Sequence, residues 1–188
     1  MPNHKLMLAT LACLLSGFSA AALAHPMPDA MHFFAGVLHP VSGLDHLLAA
    51  VAIGLWAARQ GLRWLLPATF VLTMGLGMGL ASTGIPVPGV EGVIVMSLLT
   101  LGVLLALTLY WPVVLSMVLV AGFALFHGYA HGAELPQTSW LHAAGIMLAT
   151  AALHGLGVVS ATFIRSPIMW RSMGCILASF SILRWAVA

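Results

Sequence analysis

Charge is what this sequence has least of. Its 188 residues include six Lys or Arg and four Asp or Glu, 5% in all, where a soluble domain carries about 25%. A water-soluble surface cannot be built from so few charges, so lipid must be the solvent for most of the exterior. The net charge of +2 and the lack of any basic cluster exclude nucleic acid as a partner. Cysteine is nearly absent. Cys13 lies near the start and Cys175 in the last apolar segment, which leaves no disulfide framework and no Cys-x-x-Cys metal site. No Gly-x4-Gly-Lys loop, Gly-x-Ser-x-Gly elbow or His-Glu-x-x-His helix occurs, and no 20–50-residue repeat is detectable. What is present is apolar: 62% hydrophobic residues and a mean hydropathy of +1.09. One all-α domain, a polytopic transmembrane helical bundle, is the expectation.

Residues 1–24 read as a cleavable signal peptide. His4 and Lys5 form a short polar start, Leu6 to Phe18 an apolar stretch, and Ala22-Leu23-Ala24 a small-x-small cleavage site. A spanning helix needs about 20 mostly apolar residues. Six such stretches follow within residues 25–188, at about Met31 to Ala58, Trp64 to Ser82, Gly92 to Tyr110, Pro112 to Ala130, Trp140 to Phe163 and Pro167 to Val187. Cleavage leaves the mature N-terminus outside. Arg59, Arg63, Arg165 and Arg171 then fall in cytoplasmic loops, as the positive-inside rule requires, and Arg184 is the exception. The expectation is a multi-pass protein of a bacterial inner membrane with both mature termini outside. Gly75-x-Gly77-x-Gly79 and Gly128-x-x-x-Gly132 suit close helix approach. The oligomeric state stays open.

Against this background the buried ionisable residues stand out. A charged side chain at the bilayer centre costs roughly 2.5–3.5 kcal/mol on insertion scales and is by default functional. Asp45 falls near the middle of the first span beside His46, six residues after His39. His32, His39 and His46 share a seven-residue spacing and so one helical face, with about 10 Å between successive rings. Pro40 and Gly43 are placed to kink or unwind the segment and bring His39 toward Asp45 and His46. In the fourth span His127 and His131 stand at i, i+4, and Glu134 follows three residues later. Two imidazoles on one face can grip one metal ion. The fifth span adds His142 near its outer start and His154 deeper in. Cleavage after Ala24 also exposes the α-amine of His25 beside its imidazole, a candidate chelate with Asp29 or His32 nearby. The candidate metal-binding set is therefore His25, His32, His39, Asp45, His46, His127, His131, Glu134 and His154. Imidazole and carboxylate suit nickel, cobalt, zinc, copper(II) or iron(II), and the lack of thiolates disfavours copper(I). No permanent cofactor is expected.

At these residues the sequence resembles the HupE/UreJ family of small membrane metal permeases. His39-x5-Asp45-His46 is similar to one family motif, and Phe126-His127-Gly128-x-Ala130-His131-Gly132-x-Glu134 to the other. The leader followed by His25-Pro26 and the six later spans also fit. The resemblance implies a secondary permease taking up nickel, with cobalt as a second cargo, for hydrogenase or urease assembly, and therefore not an enzyme. Two other chemistries use similar residues. An intramembrane zinc hydrolase places His and Asp inside a helical bundle to activate water. A haem carrier places axial histidines on facing helices.

Overall fold

The computed structural model describes residues 29–134 and 140–187, and among them every regular element is an α-helix. The expected signal peptide, its cleavage site and His25 lie outside the described residues. In chain order the helices are α1 (Asp29–Ser42), α2 (Leu44–Arg59), α3 (Leu65–Ala81), α4 (Val90–Ala106), α5 (Val113–Glu134), α6 (Trp140–Ala161) and α7 (Pro167–Val187).

The first expected span is broken. α1 and α2 meet at an angle of 83° across Gly43, whose extended backbone (φ −101°, ψ 114°) ends one helix and starts the next. The sequence carries two causes. Pro40 sits inside the last turn of α1, where its ring disrupts regular helix. At Gly43 a Cβ would sit 3.1 Å from the Asp45 carboxylate and 3.2 Å from the His46 ring, so the missing side chain lets those groups fold back over the break. Asp45 accordingly lies in the first turn of α2 and not in the middle of an unbroken helix.

α5 and α6 are each long and apolar enough to cross a bilayer alone, and the bent α1–α2 pair supplies the length of a third crossing. α3 and α4 are apolar helices of 17 residues, about 26 Å long against a hydrocarbon core of about 30 Å. α7 has 21 residues and carries Arg171 and Arg184. Large apolar side chains such as Leu72, Leu76, Val114, Val118, Leu148 and Ile176 point outward, as a lipid-facing surface requires.

The helices pair closely because small residues let backbones touch. Without water there is no hydrophobic drive between helices, so contact area and packing hold them. On α3 and α5, a Cβ at Gly77 would meet the Leu125 carbonyl, and one at Gly128 the Met74 carbonyl. On α2 and α6, Gly54 lies against the carbonyl of His154, and Gly157 against that of Val51. The core between the helices holds Ile53, Leu55, Trp56, Leu66, Phe70, Leu98, Leu101 and Ile146.

The two ends of the bundle differ in chemistry. At one, the Arg59 guanidinium donates to the Thr108 carbonyl at 3.0 Å and lies over the rings of Tyr110 and Trp170 at 5.1 and 5.3 Å. At the other, the Tyr129 hydroxyl donates to the Ile85 carbonyl at 2.9 Å and accepts from the Val87 amide, which closes the α3–α4 link over α5. Glu134 and the break at Gly43 belong to this second end.

Candidate metal-conducting site

The two sequence constellations converge into one. α5 carries His127 and His131 on a single inward face, both 3% exposed. Both α1 and α2 pack along α6, and from the two sides of the break at Gly43 the side chains of His39 and His46 reach over to α5. His39 thereby comes to lie edge-on to His131, with ring centroids 5.0 Å apart, and its Nε2 is 3.0 Å from a Glu134 oxygen. His46, on α2, has its ring centroid 4.8 Å from that of His131 and 5.6 Å from that of His127. His142, at the start of α6, stands 5.9 Å from His39.

A continuous ladder results. It runs from His142 and His39, through His131 and His46, to His127. Phe70 continues it, with its ring centroid 5.4 Å from His127 on one side and 4.9 Å from the fully buried His154 on the other. From the two sides of the 83° bend, His39 and His46 both come to lie against the His131 ring, and His39 also pairs with Glu134.

Within the ladder, one ligand atom each from His39, His131 and Glu134 lie within 4.8 Å of one another. Metal–ligand bonds of about 2.0–2.2 Å set donor atoms on one ion about 3–4 Å apart, so a closure of about an ångström would let these three share one ion. Immediately inward is a cavity of about 10 Å³, lined by Pro40, His46, Ala50, Phe70, Met74, His127, His131 and Thr150. That is room for a single water-sized particle.

The hydrogen bonds fix the tautomers of two of these rings. His127 donates from Nδ1 to the Phe123 carbonyl at 2.9 Å, and His154 from Nδ1 to the Ala50 carbonyl at 2.7 Å. A carbonyl accepts only, so each ring carries its proton on Nδ1 and keeps the Nε2 lone pair free. Both Nε2 atoms are buried without a hydrogen-bond partner among the described residues, as are Nδ1 of His131 and Nδ1 of His32. An unsatisfied buried polar atom costs about 1–3 kcal/mol, so the three on the ladder, in His127, His131 and His154, call for an explanation.

Asp45 serves the ladder from behind. Its Oδ1 accepts the His46 backbone N–H at 2.9 Å and the His46 Nδ1–H at 3.0 Å. A carboxylate on the distal nitrogen orients an imidazole and raises its basicity toward a metal. The other carboxylate oxygen receives Arg184 at 3.2 Å. Of the sequence candidates, His39, His46, His127, His131 and Glu134 are brought together, with Asp45 supporting His46. His154 stands beyond Phe70, and His32 lies outside the close group. Sequence reasoning missed Phe70, Thr150 and the role of Arg184. Nothing in an apolar helix marks Phe70 or Thr150 beforehand, whereas Arg184 was visible as the one arginine against the charge bias.

An all-helical, lipid-facing bundle defines a class: a polytopic membrane protein, here with a file of buried imidazoles between its helices. The comparisons name the family. The HupE / UreJ protein model matches residues 12–183, and the chain belongs to that family. It is 41% identical over 153 residues to "Protein HupE" of Rhizobium leguminosarum bv. viciae, an alignment covering 79% of each chain. No solved structure gives a significant match.

Proposed function

We propose that this protein is a secondary permease that takes up a divalent transition-metal ion, nickel above all and cobalt next, for assembly of a metalloenzyme such as hydrogenase or urease. Membership of a family associated with nickel and cobalt uptake supports the class of cargo. The observation that carries the reading is the ladder itself: inward from the Glu134 rim, buried ring nitrogens of His131, His127 and then His154 stand without a hydrogen-bond partner among the described residues.

The chemistry follows from the donors. Glu134 and His39 at the rim attract and first ligate the dication, and Glu134 offsets its charge. His131 belongs both to this rim group and to the cavity lining, so it can pass the ion inward to His46 and His127. Neutral imidazoles bind nickel or cobalt by nitrogen, yet bring no charge that would hold a dication permanently. Conduction needs sites strong enough to enter and weak enough to leave. The histidine end faces outward and the Arg59 end faces the cytoplasm, in keeping with the positive-inside rule.

The test is uptake of radiolabelled nickel, cobalt and zinc by cells with and without this gene. The reading predicts gene-dependent, saturable nickel accumulation, with cobalt competing. Equal accumulation in both strains for all three ions would overturn it.

A further inference from the structure

Arg184 is the arginine that breaks the charge bias, and its setting differs from that of the others. It projects from the last turn of α7 to Asp45 in the first turn of α2, with Nη2 3.2 Å from Oδ2. The Asp45 side chain is only 14% exposed, while Arg184 is 46% exposed. The guanidinium therefore reaches inward from an accessible face to a carboxylate that is largely enclosed. On its other oxygen that carboxylate holds both the amide and the Nδ1–H of His46, and His46 lines the small cavity with His127 and His131. The line runs Arg184, Asp45, His46, cavity.

We propose that Arg184 is a tethered counter-cation that keeps Asp45 from ligating the transported ion, so that Asp45 positions His46 and the ion meets only neutral imidazole at the cavity. This deepens the permease reading and rests on it. Asp45 is a strong trap in waiting. An anionic carboxylate in a low-dielectric site attracts a dication far more than an imidazole does, and two oxygens next to a nitrogen ligand would hold nickel or zinc in place. A permease cannot use such a trap, because release would fail. A guanidinium cannot be deprotonated in a protein, so it stays on Oδ2 as a permanent positive charge that a dication must displace. Its single contact falls on Oδ2, which leaves Oδ1 for the two His46 donors. Arg184 touches no cargo and acts through Asp45, so it is a positioning residue.

The sign of the effect separates this role from simple support. Loss of a merely structural arginine weakens folding or lowers affinity. Loss of a competing cation tightens binding. An opposite charge close to a carboxylate changes its affinity for a cation as small as a proton by roughly 10- to 1000-fold. Arg184→Gln should therefore bind nickel about tenfold or more tightly and carry it more slowly.

The experiment is calorimetric titration of nickel into the purified full chain in detergent, paired with initial uptake rates for KM and maximal rate. Arg184→Gln should lower both the dissociation constant and KM and cut the maximal rate. Arg184→Lys keeps the charge and should restore both toward wild type. Asp45→Asn/Arg184→Gln contains no unpaired charge and guards against misfolding of the single variant. Its affinity should match that of Asp45→Asn within about twofold, because without the carboxylate there is nothing to compete for. Unchanged or weaker nickel binding in Arg184→Gln, or tightening that persists in the Asp45→Asn background, would overturn the proposal while leaving the permease intact. Wild-type protein that neither binds nor carries nickel would overturn both.

Discussion

His131 is the ring on which the whole site turns. It approaches His39 and Glu134 on one side and His46 on the other, so its loss should break the ladder in the middle. His131→Ala is expected to raise the KM for nickel uptake at least about tenfold and to cut the maximal rate as well, since both loading and passage use it. Asp45→Asn should abolish most uptake with membrane insertion intact. An amide oxygen can still accept from His46 but cannot balance Arg184. Removal of such supporting groups typically costs 10- to 100-fold in metal affinity. Uptake kinetics at matched membrane expression check both variants, and wild-type values for either would remove that residue from the site.

At the scale of the helices, close crossings set where the rings stand. A Cβ at Gly128 would fall inside the Met74 carbonyl, and Gly128 lies between His127 and His131 on α5. Gly128→Ala should force α3 and α5 apart at a cost of about 1–3 kcal/mol and pull both imidazoles off the α2 side of the cavity. Gly122 is on the same helix with open space where its Cβ would lie, so Gly122→Ala should be neutral or slightly stabilising. Thermal unfolding of the two variants in detergent, read beside nickel affinity, distinguishes them. A Gly128→Ala protein as stable and as active as the Gly122→Ala protein would contradict the crossing geometry.

The break at Gly43 shows how far a sequence pattern reaches. Pro40 and Gly43 announced a kink, and the i, i+4 spacing of His127 and His131 announced one face. Both are local properties, set by the backbone chemistry of a few residues. The partners were not legible. A bend of 83° redirects His39 to His131 and Glu134, and no spacing within one helix encodes where the next helix will run. The same holds for Asp45, which looked mid-span as long as α1 and α2 were counted as one helix. Phe70 was hidden for a different reason: an aromatic residue in an apolar helix looks the same whether it fills a core or separates two histidines.

For the molecule as a whole, the two unlike ends carry the account of direction. With the arginine-rich end in the cytoplasm, a reporter enzyme active only outside and fused after Ala188 should be active, and one inserted at Gly61 should be silent. The reverse pattern would invert the assigned orientation.

If this chain alone moves a divalent metal ion along its buried histidines, purified protein in sealed liposomes should take up external radiolabelled nickel. Wild-type vesicles should show saturable accumulation and competition by cobalt, and vesicles with His131→Ala at the same density should stay near background. Accumulation no greater than in protein-free liposomes, or undiminished accumulation by His131→Ala, would contradict that route.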